Sequence, residues 1–188
     1  MLPTFAMVDW GSGALDVAGV RSSVKKLGQL KHVFRDQAAF AQMDPETVVY
    51  RVRWWEPVAP GTEGGLFWGT TEILPGRVGE EYFMTHGHLH AVRDRAEFYG
   101  TVAGEGMLVL QDENGETWCE QMIPGSLHYI AGRVAHRTVN TGSVPLRFIA
   151  SWPSDAGHDY GKIASEGMGG RVLEKGGKAV FLRDGDRA

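Results

Sequence analysis

Met107-Leu108-Val109-Leu110-Gln111-Asp112-Glu113-Asn114-Gly115-Glu116-Thr117-Trp118-Cys119-Glu120-Gln121 is the stretch that decides the fold. Two strand-like runs flank Asn114-Gly115, a pair that adopts positive φ readily and so forms the tip of a hairpin. Working outward, turn signals recur at Gly64-Gly65, Pro75-Gly76, Gly104 with Gly106, Pro124-Gly125, Gly132 and Thr141-Gly142. Their spacing of about ten residues is that of an antiparallel sandwich or barrel. Leu146 to Trp152 and Ala179 to Leu182 add further strands, and no helical period of useful length lies between Gly61 and Pro153. The chain is therefore expected to be all-β.

The first third reads differently. Val17, Val20, Val24, Leu27 and Leu30 recur at three- and four-residue intervals with Arg21, Lys25 and Lys26 between them, which predicts an amphipathic helix from Leu15 to Leu30. A second short helix is expected with Asp36 as cap, Ala38 to Met43 as body and Asp44-Pro45 as stop. Val48 to Trp55 is β-branched and aromatic, a strand that Pro57 and Pro60 bring to an end. The expected organisation is one domain, with an N-terminal extension over 1–60, a barrel over 61–153 and a C-terminal segment over 154–188. The polar tail from Arg183 to Ala188 is expected to fray.

Composition removes several classes of function. Nineteen Lys and Arg against 23 Asp and Glu leave a net charge of -4, which repels nucleic acid. No apolar run approaches the ~18 residues of a membrane span. A single Cys119 excludes an internal disulfide framework, and no basic segment precedes an apolar run, so a cytoplasmic location is expected.

The chemistry gathers in histidines. His86, His88 and His90 alternate along one segment, so an extended backbone would point all three the same way, with His86 the least suited to reach a shared ion. Glu97 follows after the polar stretch Ala91 to Ala96, and His136 lies on a later strand. His88, His90, Glu97 and His136 then form a three-imidazole, one-carboxylate set with open coordination positions, suited to catalysis by a divalent metal. His32 and His128 read instead as ordinary hydrogen-bonded histidines.

Gly87-His88-x-His90, Glu97 and His136-x-x-x-Asn140 resemble the two-motif signature of cupins, although six residues separate His90 from Glu97 and Ala131-Gly132-Arg133 stands where that signature has Pro-x-Gly. Thr85-x-Gly87-His88-x-His90, Asp94-Arg95-Ala96-Glu97, Ala135-His136-Arg137-Thr138-Val139-Asn140 and Asp155-Ala156-Gly157-His158-Asp159-Tyr160-Gly161 are similar to the archaeal-type, cupin glucose-6-phosphate isomerases. This resemblance implies a cupin jelly-roll barrel, a homodimer and one divalent metal per subunit, usually Fe2+, with Zn2+, Mn2+ or Ni2+ as substitutes. It carries the metal ligands to His88, His90, Glu97 and His136, and the sugar-phosphate contacts to Tyr50, Thr71, Thr85, Gly87, Tyr99, His158 and Tyr160. Three positions depart from the family pattern: Trp152 for a phenol, Arg133 for an aromatic and His86 for a lysine.

Isomerisation of an aldose to a ketose moves hydrogen between C1 and C2, which needs a base at those carbons and stabilisation of their oxygens. The resemblance makes Glu97 the proton carrier, with a hydride shift as the alternative. Thr71, Thr85 and the Gly87 amide form a neutral donor cup for the phosphate, to which His86 or Arg133 could add charge. The same four ligands also suit a cupin oxygenase, and a sugar-phosphate sensor without turnover is the third reading.

Overall fold

The computed structural model describes residues 5–186. Its core is a pair of antiparallel sheets. Eight segments in chain order build it: Leu66–Ile73, the extended stretch 83–89, Glu97–Ala103, Gly106–Gln111, Thr117–Met122, Leu127–Ile130, Ala135–Asn140 and Leu146–Pro153. In one sheet the first, eighth, third and sixth lie side by side. In the other, the seventh and fourth are followed by the fifth, and the second joins the seventh through the Met84–Val139 and His88–His136 bridges. This interleaved order is that of a jelly roll, as expected.

The large sheet is extended by Val48–Trp55 and Arg21–Lys26 to six strands. A separate sheet that includes the hairpin Gly170–Lys175 and Lys178–Arg183 covers the outside of the smaller one, where the Gly169 amide donates to Gln111 Oε1 at 2.7 Å. Leu27, Ile73, Leu108, Met122, Ile130 and Phe148 are among the side chains that fill the interior.

The hairpin around Asn114-Gly115 forms as expected, with Trp118 opposite Leu110 and Gly115 at φ 85°. Val48–Trp55 is a strand over the expected residues. Asp36 caps a helix by accepting from the Ala39 amide at 2.8 Å, but that helix is only Gln37–Phe40 and ends short of Met43.

The helix expected over Leu15 to Leu30 is absent. Strands Ala14–Asp16 and Arg21–Lys26 and a 3-10 turn at Leu27–Leu30 stand there instead. Gly19 at φ 85° breaks the helical path, and pairing of Arg21–Lys26 with Val48–Trp55 overrides a weak periodicity. Val24, part of the supposed apolar stripe, consequently faces outward and is 45% exposed, while Lys25 faces in. A further short helix, Gly161–Glu166, and the strand Gly170–Lys175 were not foreseen. The tail is also held further than expected: Arg183 stays in the last strand and Asp184 pairs with Arg35 at 2.8 Å, while Arg187 and Ala188 lie outside the described residues.

Candidate active site

The site begins with a bulge. Between the Met84–Val139 and His88–His136 pairs, one chain has Thr85, His86 and Gly87 and the other only Arg137 and Thr138. Gly87 absorbs the extra residue at φ 80°, a left-handed conformation that favours glycine. The bulge shifts the alternation, and the expectation that His86 shares a face with His88 and His90 is corrected here. His86 turns to meet the His32 ring and stacks on Tyr160, with centroids 4.9 Å apart.

His88 and His90 reach Glu97 and His136 across the two sheets, and one donor atom from each of these four residues lies within 4.8 Å of all the others. The six-residue stretch Ala91 to Ala96 makes this possible by doubling back so that His90 Nδ1 meets the Arg95 carbonyl at 2.6 Å. His136 Nδ1 lies 3.3 Å from the Val134 carbonyl. Each Nδ1 therefore carries hydrogen toward a carbonyl and each Nε2 is left with a lone pair. Both of those Nε2 atoms face Glu97 Oε2 at 3.1 Å. Lone pairs directed at a carboxylate need a cation between them, either a proton or a metal ion. Among the described residues, Nε2 of His88 and of His136 are buried without a hydrogen bond. Three imidazole nitrogens and one carboxylate, two of the nitrogens orphaned, fit a divalent transition metal.

Electrostatics agree with that donor chemistry. Burial holds the His88 imidazole well below its ordinary range, so it is neutral and available as a ligand. For Glu97, burial pushes the carboxyl up, but the His136 and His90 imidazoles outweigh it and hold the acid low. Burial lowers His90, but its contacts with Glu97 outweigh this and raise it above its ordinary value.

The cluster opens on a cavity of about 480 Å³. Tyr50, Thr71, Thr85, Gly87, Tyr99, Trp152, His158 and Tyr160 all line it, together with His88, Glu97 and His136, so the structure brings every expected sugar-phosphate contact to one space. His90 stands behind the wall. The His158 ring lies 4.6 Å from His88 and is stacked on Tyr160 at 5.9 Å, while the Trp152 and His158 rings meet at 67° with centroids 6.5 Å apart. At the other end, Thr85 Oγ1 accepts from the Thr138 amide at 3.0 Å, which leaves its O–H free to donate. Thr71 pairs with Phe148, and Trp152 lies four residues further along that strand, so the two ends are about 13 Å apart. Burial pushes the Tyr50 hydroxyl up to about 12 and Tyr99 well above its ordinary value, so both remain donors.

Arg133 is elsewhere. It pairs with Asp94 at 2.6 Å and Glu113 at 3.2 Å on the outer surface, and so adds no charge to the cavity. His128 is buried between Glu120 and Ser126, hydrogen-bonded to both as expected. Lys25 and Arg137 were not singled out from the sequence. Lys25 was hidden in the polar face of a supposed helix. Arg137 gave no signal in the sequence, since the burial of every residue of its strand is visible only in the structure. Burial pushes its guanidinium down to about 10, which still leaves it charged at neutral pH.

Comparison with known proteins supplies the family. The model of the family "Glucose-6-phosphate isomerase (GPI)" matches residues 24–186, a span that includes the whole cluster and cavity apart from Ser23. Glucose-6-phosphate isomerase of Thermococcus litoralis is 41% identical over 180 residues, covering 95% of this chain and 93% of its own. That of Pyrococcus horikoshii is 42% identical over 184 residues, covering 96% and 94%. A bacterial relative of the same name, from Sinorhizobium medicae, is 35% identical over 178 residues, covering 93% and 82%. Among solved structures, oxalate decarboxylase of Bacillus subtilis superposes with a TM-score of 0.47 at 16% identity, over 64% of this chain and 30% of that one. On a match that runs nearly end to end in both partners, this chain belongs to the glucose-6-phosphate isomerase family.

Proposed function

We propose that the chain is a metal-dependent isomerase that interconverts glucose 6-phosphate and fructose 6-phosphate. The observation that carries this reading is the cluster His88, His90, Glu97 and His136, its donor atoms within 4.8 Å, at one end of a cavity whose other end offers neutral donors. Family membership supports the same reaction. These four residues would hold one divalent ion per subunit, Fe2+ first, with Zn2+, Mn2+ or Ni2+ as substitutes. A bound ion supplies Lewis acidity to the oxygens on C1 and C2 of the sugar.

The remaining work falls to side chains. Glu97 Oε2 is engaged by the imidazoles, whereas Oε1 makes no hydrogen bond among the described residues and Glu97 lines the cavity. Oε1 is thus the oxygen that takes the proton from C2 and returns it to C1 through a cis-enediol. Tyr99 and Tyr50 donate to sugar and phosphoryl oxygens, and the Trp152 face excludes water. Thr71, Thr85 and the Gly87 amide bind the phosphoryl group.

A coupled assay with chelation and metal add-back tests the proposal. Activity is expected to vanish on chelation and return with a divalent ion. No conversion with any of the four metals overturns it. Oxygen uptake with an organic substrate would favour the oxygenase instead, and saturable binding without turnover the sensor.

A homodimer is part of the same proposal. Leu66, Trp68, Leu127 and Tyr129 leave 49%, 52%, 71% and 73% of their surfaces exposed on the outer face of the large sheet, a broad apolar area of the kind that two copies bury. The half-buried free thiol of Cys119 suits a cytoplasmic compartment.

A further inference from the structure

The phosphoryl group carries nearly two negative charges, and the donors assigned to it so far are neutral. Two cations stand close to that end of the cavity. Lys25 is the register partner of Tyr50 and shares its inward face, so it lines the cavity beside a phosphoryl contact. It makes no ion pair among the described residues, although Lys26 next to it is paired with Glu46. Arg137 lies behind the wall, only 6% exposed, with no carboxylate within ion-pair distance among the described residues. It donates from Nη2 at 2.7 Å and from Nε at 3.3 Å to the carbonyl of His86. Its guanidinium occupies the space beside Gly87, where an added Cβ would come within 3.1 Å of Nε. Lys25 thus lines the cavity wall while Arg137 holds the His86 carbonyl from behind it.

A charge removed from water without a counter-ion is costly, and such residues are retained where an anionic ligand completes them. We infer that Lys25 and Arg137 together form the cationic half of the phosphoryl site, Lys25 by direct contact and Arg137 as a positioning residue. Arg137 grips the carbonyl of the His86–Gly87 peptide and so aims the Gly87 amide into the cavity, while its charge reaches the phosphoryl group through the thin wall of the bulge. This inference rests on the isomerase reading and adds to it the residues that select a phosphorylated over a neutral sugar.

The test measures inorganic phosphate binding by calorimetry on metal-loaded protein, alongside steady-state kinetics with glucose 6-phosphate. Failure of the wild-type protein to turn over substrate defeats the isomerase reading, whereas the phosphate titration judges the cations independently of turnover. Lys25→Met is expected to raise the phosphate Kd and the KM by about tenfold or more, the weight of one charge-assisted contact, with a much smaller fall in kcat. Lys25→Arg should restore most of both. Arg137→Lys keeps a cation but loses the two-pronged hold, and is expected to raise both constants by at least about fivefold with little change in melting temperature. Unchanged phosphate Kd and KM in Lys25→Met, or in a folded Arg137→Lys, overturns the assignment of that residue. Should Arg137→Lys fail to fold, Arg137→Gln takes its place under the same criterion.

Discussion

Arg95 holds Asp155 through both Nε, at 2.9 and 3.1 Å, and Nη2, at 2.7 Å, while its own carbonyl receives Nδ1 of His90. One residue thus orients a metal-ligand candidate with its backbone and ties down the segment from Asp155 to Gly161 with its side chain. Arg93 repeats the pattern by pairing with Asp159. Bridges between Leu89 and Asp159 complete the attachment, at 3.0 and 2.7 Å. The two motifs most distinctive in the sequence, Asp94-Arg95-Ala96-Glu97 and Asp155 to Gly161, are therefore one structural unit.

Breaking that unit should weaken the metal site without dismantling the barrel. Asp155→Asn or Arg95→Ala is expected to lower metal affinity by about 10–100-fold, the usual weight of an outer partner that fixes a ligand's orientation. Metal content after dialysis against a graded chelator reads the change, and circular dichroism should show the strands intact.

The same pairs contribute to the response to acid. Hydrogen bonding to Arg95 holds the Asp155 carboxyl below the ordinary 3.8, and Arg133 does the same for Asp94. The amide of Gly161 and the Arg93 side chain lower Asp159. A carboxyl lowered in the folded state contributes stability that is present above its unfolded value and is lost as pH falls through its folded value. Burial holds His88, His86 and His158 below their ordinary values as well, so the melting temperature of metal-free protein should begin to fall below about pH 6.5 and drop further below about pH 4. A melting temperature that stays flat from pH 7 to 4 would remove the buried histidines from the acid response.

Glu97 and the histidines should separate in mutagenesis. Glu97→Gln is expected to cut kcat by about 100-fold or more with a small change in KM, since it removes a proton carrier used in the transition state. His88→Ala and His136→Ala should instead deplete bound metal. Solvent deuterium incorporated at C1 or C2 of the product supports the proton route, and complete retention of substrate hydrogen indicates a hydride shift.

Gly87→Ala tests the bulge. The new Cβ would sit at φ 80°, 3.1 Å from Arg137 Nε and 3.3 Å from its Cβ, and that buried side chain has little room to retreat. A loss of about 1–3 kcal/mol in stability is expected, visible in denaturant unfolding, together with a raised KM.

Much of this site was legible because its chemistry resides in residue types and spacings. His88, His90, Glu97 and His136 could be named from sequence, since few side chains bind metal and alternation on a strand is easily read. Asn114-Gly115 announced its hairpin for a similar reason: the backbone conformation needs those residues. The helix misread over Leu15 to Leu30 shows where this stops. Its periodicity was real, but a strand partner at Val48–Trp55 offered a full ladder of backbone hydrogen bonds, and local preference is worth less than that. His86 was displaced by one extra residue whose effect is visible only once both paired segments are known. Arg137 escaped notice because nothing in Arg-Thr-Val-Asn says that the first of these is buried.

Asp155 to Gly161 lies beyond the last strand of the barrel, which ends at Pro153. Exchanging Asp155 to Gly161 for a flexible linker of equal length, with the following hairpin retained, would keep all eight staves and the four candidate metal ligands, yet lose the clasp that draws the segment of His88 and His90 inward. Such an exchange should leave the shell standing around a slack, catalytically silent centre.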